Sequence, residues 1–292
     1  MDTFVQAVIS GLAVGCLYAL ISLGYSLTFV VNGTVNMSQG QLVMLGAMLM
    51  FTMTRLWNLP FFAALLAAGI VVGLFGIITE RLAIRRFSDD PNSVGWILST
   101  LAVGIILQDI ALVIWGPEEH LVTSPVGNRM VRLAGAGIYL RELLLIPFVA
   151  LFLVLLTLFY FKSHWGLWLR ATADNRLATN MMGVNSNFVV AIAFALSGIL
   201  GGLGGGLMSP IYAVSVSMGL SLGLKAIAVA IVGGLNSAKG IVIAGLSLGV
   251  AEVLVSLYLS PEVREMVIYL IVIAILFVKP TGLFGKPTVT KV

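Results

Sequence analysis

An all-α bundle of about eight or nine membrane-spanning helices is the fold this sequence predicts, and three observations lead to it. The 292 residues are 60% hydrophobic and only 10% charged, whereas soluble domains carry roughly a quarter charged residues. Mean hydropathy is +1.09, which leaves too little polar surface to cover a globule in water. The apolar residues come in runs near the roughly 20 that cross a hydrocarbon core as a helix. Strand alternation, the mark of a membrane β-barrel, is absent.

Taken in order, apolar stretches lie at 4–30, 41–57, 60–79, 94–115, 142–161, 188–208, 221–235, 241–258 and 266–278. The first is too long for a cleaved signal peptide, and no Lys or Arg precedes Arg55, so it reads as a retained span. Cys16, the only cysteine, lies within it, which rules out an intramolecular disulfide and argues against a metal cluster. A net charge of +4 is no sign of nucleic acid here, because basic residues of membrane chains sort to cytoplasmic loops. With nine crossings and an internal C-terminus, the inner segments hold Arg81, Arg85, Arg86, Lys162, Arg170, Arg176, Lys239, Lys279, Lys286 and Lys291. The outer ones hold Arg55, Arg129, Arg132, Arg141 and Arg264. Ten against five favours an external N-terminus, with Lys225 assigned to a span.

Glycines recur at four-residue spacing as Gly11/Gly15, Gly69/Gly73, Gly198/Gly202/Gly206 and Gly245/Gly249. In helices this lines small residues along one face and lets backbones approach closely. Two uncharged polar breaks, 32–41 and 209–223, interrupt the apolar background. The first holds Asn36, Ser38, Gln39 and Gln41. It either turns at the surface or re-enters the membrane, where irregular backbone survives only inside protein or beside a cavity. The two breaks are candidates for corresponding parts of an internal repeat.

Three ionisable residues fall within spans: Asp109, Lys225 and Glu252. Each costs at least about 2.5–3.5 kcal/mol at a helix centre unless it pairs, snorkels or meets water. Lys225, near the start of its span, is placed to snorkel; Asp109, six residues before Trp115, suits an interface; Glu252 is deepest and suits a hydrogen-bonded place in the bundle. Between Lys162 and Asn187, Asp174 can N-cap a short helix 175–182, with Gly183 at the position after its end. Leu177 and Met181 then share a face, as do Ala178 and Met182. Such a helix rests on lipid or docks on a partner. Catalytic signatures are absent, and the run from Gly233 to Gly240 departs from the phosphate-binding loop pattern around Lys239.

Several strings in this order form a pattern: Gly15-Cys16-Leu17-Tyr18-Ala19-Leu20, Val35-Asn36-Met37-Ser38-Gln39-Gly40, Arg170-Ala171-Thr172-Ala173-Asp174-Asn175, Gly223-Leu224-Lys225-Ala226 and Lys279-Pro280-Thr281-Gly282-Leu283-Phe284-Gly285. Over almost the whole chain the sequence resembles the branched-chain amino-acid permease family of ATP-binding-cassette importers, in its shorter, LivH-type branch. The resemblance implies one transmembrane permease domain, residues 1–292, with a coupling loop near 162–187 and no cofactor of its own. It implies a second homologous permease, two cytoplasmic ATP-binding subunits and a periplasmic solute-binding protein. Arg170, Ala171, Asp174, Asn175, Leu177, Ala178, Met181, Met182 and Gly183 become candidates for ATPase coupling. Asn36, Ser38, Gln39, Gln41, Asp109, Lys225 and Glu252 become candidates for the solute path. Many relatives carry Ala-His where this chain has Ser38-Gln39, and an acidic residue near Gln41. That departure leaves open urea, short amides or aromatic acids as cargo; an ion-coupled secondary transporter is the competing mechanism.

Overall fold

The computed structural model describes residues 2–87, 94–127, 129–133, 136–260 and 262–285. Lys286 and Lys291, counted above among the inner basic residues, lie outside the described residues. The helices are α1 (Asp2–Asn32), α2 (Gln39–Phe51), α3 (Phe61–Thr79), α4 (Gly95–Trp115), α5 (Leu140–Lys162), α6 (His164–Asp174), α7 (Arg176–Met181), α8 (Ser186–Met208), α9 (Met218–Gly233), α10 (Ala238–Tyr258) and α11 (Arg264–Val278). α2 and α3 run on through π-helical turns, Thr52–Leu56 and Glu80–Ile84. Every apolar stretch of the sequence is thus helical along most of its length.

Among the described residues, six helices are long and apolar enough to cross a bilayer: Thr3–Asn32, Phe61–Phe87, Gly95–Trp115, Leu140–Lys162, Ser186–Met208 and Ala238–Tyr258. α9 and α11, with 16 and 15 residues, reach only about 24 and 22 Å, short of the roughly 30 Å hydrocarbon core. α2 and α9 each follow a non-helical segment; the one before α2 is enclosed by the bundle, whereas the one before α9 is partly exposed at Tyr212 and Ser217. Asn36, Ser38 and Gln39 are fully buried, so the first polar break lies within protein, as buried irregular backbone must.

The glycine repeats find one another. Gly15 and Gly11 of α1 meet Gly245 and Gly249 of α10, and a Cβ on Gly15 would stand 2.6 Å from the Gly245 carbonyl oxygen. Gly69 and Gly73 of α3 meet Gly202 and Gly198 of α8, where a Cβ on Gly202 would reach 3.0 Å from the Gly69 Cα. With no hydrophobic force between helices in lipid, backbone proximity of this kind supplies the dispersion contacts that hold them. α1 and α8 lie side by side, and α2 crosses α9 where Gly40 touches Gly219 and Gly223. Exchanging α1, α2 and α3 for α8, α9 and α10 maps these contacts onto one another. The helices that flank 32–41 and 209–223 thus pack in matching ways, although the two strings share few residues.

One departure from the all-helical expectation lies between α4 and α5. Strands β1 (Met130–Leu133) and β2 (Ala136–Tyr139) form an antiparallel hairpin with Met130 opposite Tyr139 and Leu133 opposite Ala136. Four residues per strand, outside the apolar stretches, are too few for alternation to register. Ile138 is buried, and two backbone hydrogen bonds of 2.8 Å join His120 to Val214, tying this loop to the second polar break.

Candidate functional site

The segment between α5 and α8 is a helical hairpin rather than a loop with one helix. Ser163 caps α6, its hydroxyl accepting from the Gly166 N–H at 3.0 Å, and Leu169 and Thr172 bury one face. α6 extends to Asp174, which therefore closes a helix instead of capping the next. Asn175 is the cap: its backbone is extended and its Oδ1 accepts from the Ala178 N–H at 3.0 Å. α7 ends as expected. Gly183 has φ +83°, donating to the Asn180 carbonyl at 3.0 Å while Val184 donates to Thr179 at 3.2 Å, the paired bonds of a left-handed glycine stop.

Arg170, by contrast, folds back: its Nε donates to the Gly166 carbonyl at 3.3 Å and its guanidinium lies 5.4 Å from the Phe161 ring centre. Ala171, Asp174 and Ala178 are exposed. Leu177, Met181 and Met182 are 68%, 80% and 84% exposed, an apolar cluster that none of the described residues covers. Arg176, absent from the expected set, holds the hairpin down. Its guanidinium donates at 3.1 Å to Asn32 Oδ1, at the end of α1, and at 3.1 Å to Asn187 Oδ1, at the start of α8. Its partners are distant in sequence, so only its basic charge was legible.

At the polar break the side chains tie helices together. Gln39 Nε2 donates to the Ser197 carbonyl at 2.9 Å, and the Ser197 hydroxyl lies 2.9 Å from both Gln39 Oε1 and the Gly24 carbonyl. One residue of α2 thus touches α8 directly and α1 through Ser197. The Asn36 Oδ1 accepts from the Ser38 N–H and hydroxyl at 3.1 and 2.7 Å. Gln41 Nε2 donates to Gln108 Oε1 of α4 at 3.0 Å. Two buried atoms here, Asn36 Nδ2 and Gln41 Oε1, have no hydrogen-bond partner among the described residues.

Of the three intraspan charges, two meet. Lys225 is not snorkelling: its side chain is 7% exposed and its Nζ lies 3.0 Å from Glu252 Oε1 and 3.1 Å from Glu265 Oε1. Arg264 Nε stands 3.3 Å from the same Glu252 oxygen. The result is a network of two cations and two anions joining α9, α10 and α11. Pairing of this kind removes most of the penalty of a lone buried charge. Asp109 stands apart, exposed on α4 among Ile105, Ile106, Ile110 and Val113.

Polar backbone enclosed at depth in an apolar helical bundle, with an amphipathic hairpin presented at one end, is the architecture of a multi-pass membrane protein. The profile of the family described as branched-chain amino acid transport system, permease component, matches residues 7–276, and the chain belongs to that family. The high-affinity branched-chain amino acid transport system permease protein BraD of Pseudomonas aeruginosa is 30% identical, over 99% of this chain and 98% of its own. LivH of Escherichia coli, carrying the same description, is 29% identical over 99% and 98%. The probable branched-chain amino acid transport permease LivH of Methanocaldococcus jannaschii is 26% identical over 92% and 89%. No solved structure matches the chain. The protein is accordingly a permease subunit of an importer of the ATP-binding-cassette type and not an enzyme. It resides in the cytoplasmic membrane and works with separate ATP-binding and solute-binding components.

Proposed function

We propose that this chain, as a single transmembrane domain, forms half of the translocation path of an importer for branched-chain or related neutral amino acids. A second homologous permease supplies the other half, two cytoplasmic ATPases drive it, and a periplasmic binding protein delivers the solute. The observation that carries the reading is the exposed Leu177, Met181 and Met182 on a helix pinned by Arg176 to α1 and α8. An ATPase can bias the permease only through contacts that differ between its two states. Here a push on α7 passes through Arg176 to the ends of α1 and α8, and from those helices through Ser197 and Gly24 to Gln39 of α2. Asp174, Asn175 and Gly183 set the angle of α7, while Arg170 and Ala171 lie on the arm that carries it.

The path itself runs along the α2–α4 side, where Gln41, Ser38 and Asn36 lie, with Asp109 beyond them on the exposed face of α4. Asn36 Nδ2 and Gln41 Oε1 are buried with no hydrogen-bond partner among the described residues, which leaves one donor and one acceptor for a solute to engage. Lys225, Glu252 and Glu265 hold α9 to α10 and α11. The departure at Gln39 does not by itself move the cargo toward urea or amides, because that side chain bonds to Ser197 of α8, whereas Ser38 bonds to Asn36 within the polar break. Uptake by vesicles containing all subunits tests the reading. Accumulation of labelled leucine should require ATP inside; equal accumulation without ATP overturns the mechanism. Binding of the associated periplasmic protein to urea or aromatic acids, but not to branched-chain amino acids, overturns the cargo.

A further inference from the structure

A cavity of about 270 Å³ lies between the inner end of α3 and the start of α8, lined by Ile77, Arg81, Arg85, Asn187, Phe188 and Ile192 among others. Its lining changes character along its length. Arg81, Arg85, Asn185 and Asn187 form one end, at the helix termini; Ile77, Phe188, Ala191 and Ile192 form the other, within the spans. The charge at the polar end is positive. Glu80, 2% exposed at its side chain, holds Arg85 through two bonds of 3.2 and 3.1 Å, which neutralises one cation. Among the described residues no carboxylate pairs with Arg81, and Arg86 is exposed one residue beyond Arg85. The first N–H groups of α8 are already bound, Ser186 by Asn180 Oδ1 and Asn187 and Phe188 by Asn185 Oδ1. Any anion here is therefore held by guanidinium and amide side chains rather than by the helix end.

We propose that this groove binds one anionic phospholipid, its phosphate at Arg81 and the free edge of Arg85, its acyl chain along Ile77, Phe188 and Ile192. A basic end joined to an apolar end between membrane helices fits a lipid headgroup and tail together, which a free anion does not exploit. Asn187 lines the groove and also accepts from Arg176, so an occupied headgroup site steadies the residue that fixes α7. The inference rests on the inner-face placement above only for which leaflet supplies the lipid.

The test uses the full-length permease purified in detergent with its partner subunits, exchanged into phosphatidylglycerol or phosphatidylcholine and washed. Retained lipid is counted by mass spectrometry. Wild type should keep phosphatidylglycerol in preference, and Arg81→Gln should lower that preference about fivefold, from about 1 kcal/mol per basic residue near a charged headgroup. Arg81→Lys should restore most of it, and Arg55→Gln, at the far end of α2, should leave it unchanged. Equal retention of both lipids, or equal losses in Arg81→Gln and Arg55→Gln, overturns the site. Full displacement by inorganic phosphate makes it a free-anion site and overturns the lipid assignment. Detergent micelles have no sidedness, so this outcome is independent of whether Arg81 faces the cytoplasm, which thiol labelling reports separately.

Discussion

Replacing Glu252 with Leu isolates the energetics of the charge network. Glu252 and Lys225 have side chains 6% and 7% exposed, so the loss of one carboxylate leaves a buried ammonium with a single remaining partner. That partner, Glu265, is itself 50% exposed and screened, and Arg264 also loses its contact at 3.3 Å. Removing one member of a buried pair typically costs about 3–5 kcal/mol. Because Glu265 stays within reach of Lys225, the lower value, about 3 kcal/mol, is expected, equivalent to a fall of about 5–10 °C in midpoint. The double replacement Lys225→Met with Glu252→Leu removes one charge of each sign and leaves Arg264 and Glu265, so stability should return to within about 1 kcal/mol of wild type. Thermal scans read by size-exclusion chromatography in matched lipid and detergent measure all three proteins. A double variant as unstable as Glu252→Leu alone, or a stable Glu252→Leu, refutes the argument that pairing is what keeps Lys225 in the span.

Other outcomes follow from the hairpin and the seams. Arg176→Ala should abolish most solute-stimulated ATP hydrolysis while the chain still inserts, because α7 loses both anchors; hydrolysis and uptake are measured in the same vesicles. Gly183→Val forces a branched side chain into left-handed backbone at about 1–2 kcal/mol, and should reduce coupling several-fold with normal expression; unchanged coupling would count against α7 as a lever. Gly202→Leu should prevent folding or cut yield severely, since its Cβ already meets α3 backbone; Gly33→Leu, with open space around it despite its positive φ, should be far milder in expression trials. Met182→Cys should react with an impermeant thiol reagent only from the cytoplasmic side of oriented vesicles, and labelling from outside would reverse the topology.

The fold was largely legible because nothing except a bilayer accommodates so many apolar runs, and each run became a helix. What remained illegible depended on contacts between distant residues. Asp174 and Asn175 are both competent caps, and the choice falls to Asn175 because burial of Leu169 and Thr172 carries α6 one residue further. Lys225 and Glu252 are separated by 27 positions on different helices, so a lysine near a span's start looks free to snorkel until α10 is placed beside it. Gln39 was singled out as a polar residue in a break, yet its hydrogen bonds to Ser197 could be seen only after α8 was set against α2. The short hairpin β1–β2 carried too little pattern to stand out. Polarity marked where to look; the third dimension supplied the partners.

The glycine contacts also constrain how the protein can move. Where α1 meets α10, and where α3 meets α8, one helix's backbone rests against another's at the glycines, so sliding by a single residue would drive a larger side chain into backbone. Each pair is in effect a weld, and α2 is held against α8 in the same way, Gly46 on Gly202 and Gly205 on the Val43 carbonyl. A change of access then has to come at contacts made through side chains rather than along these seams.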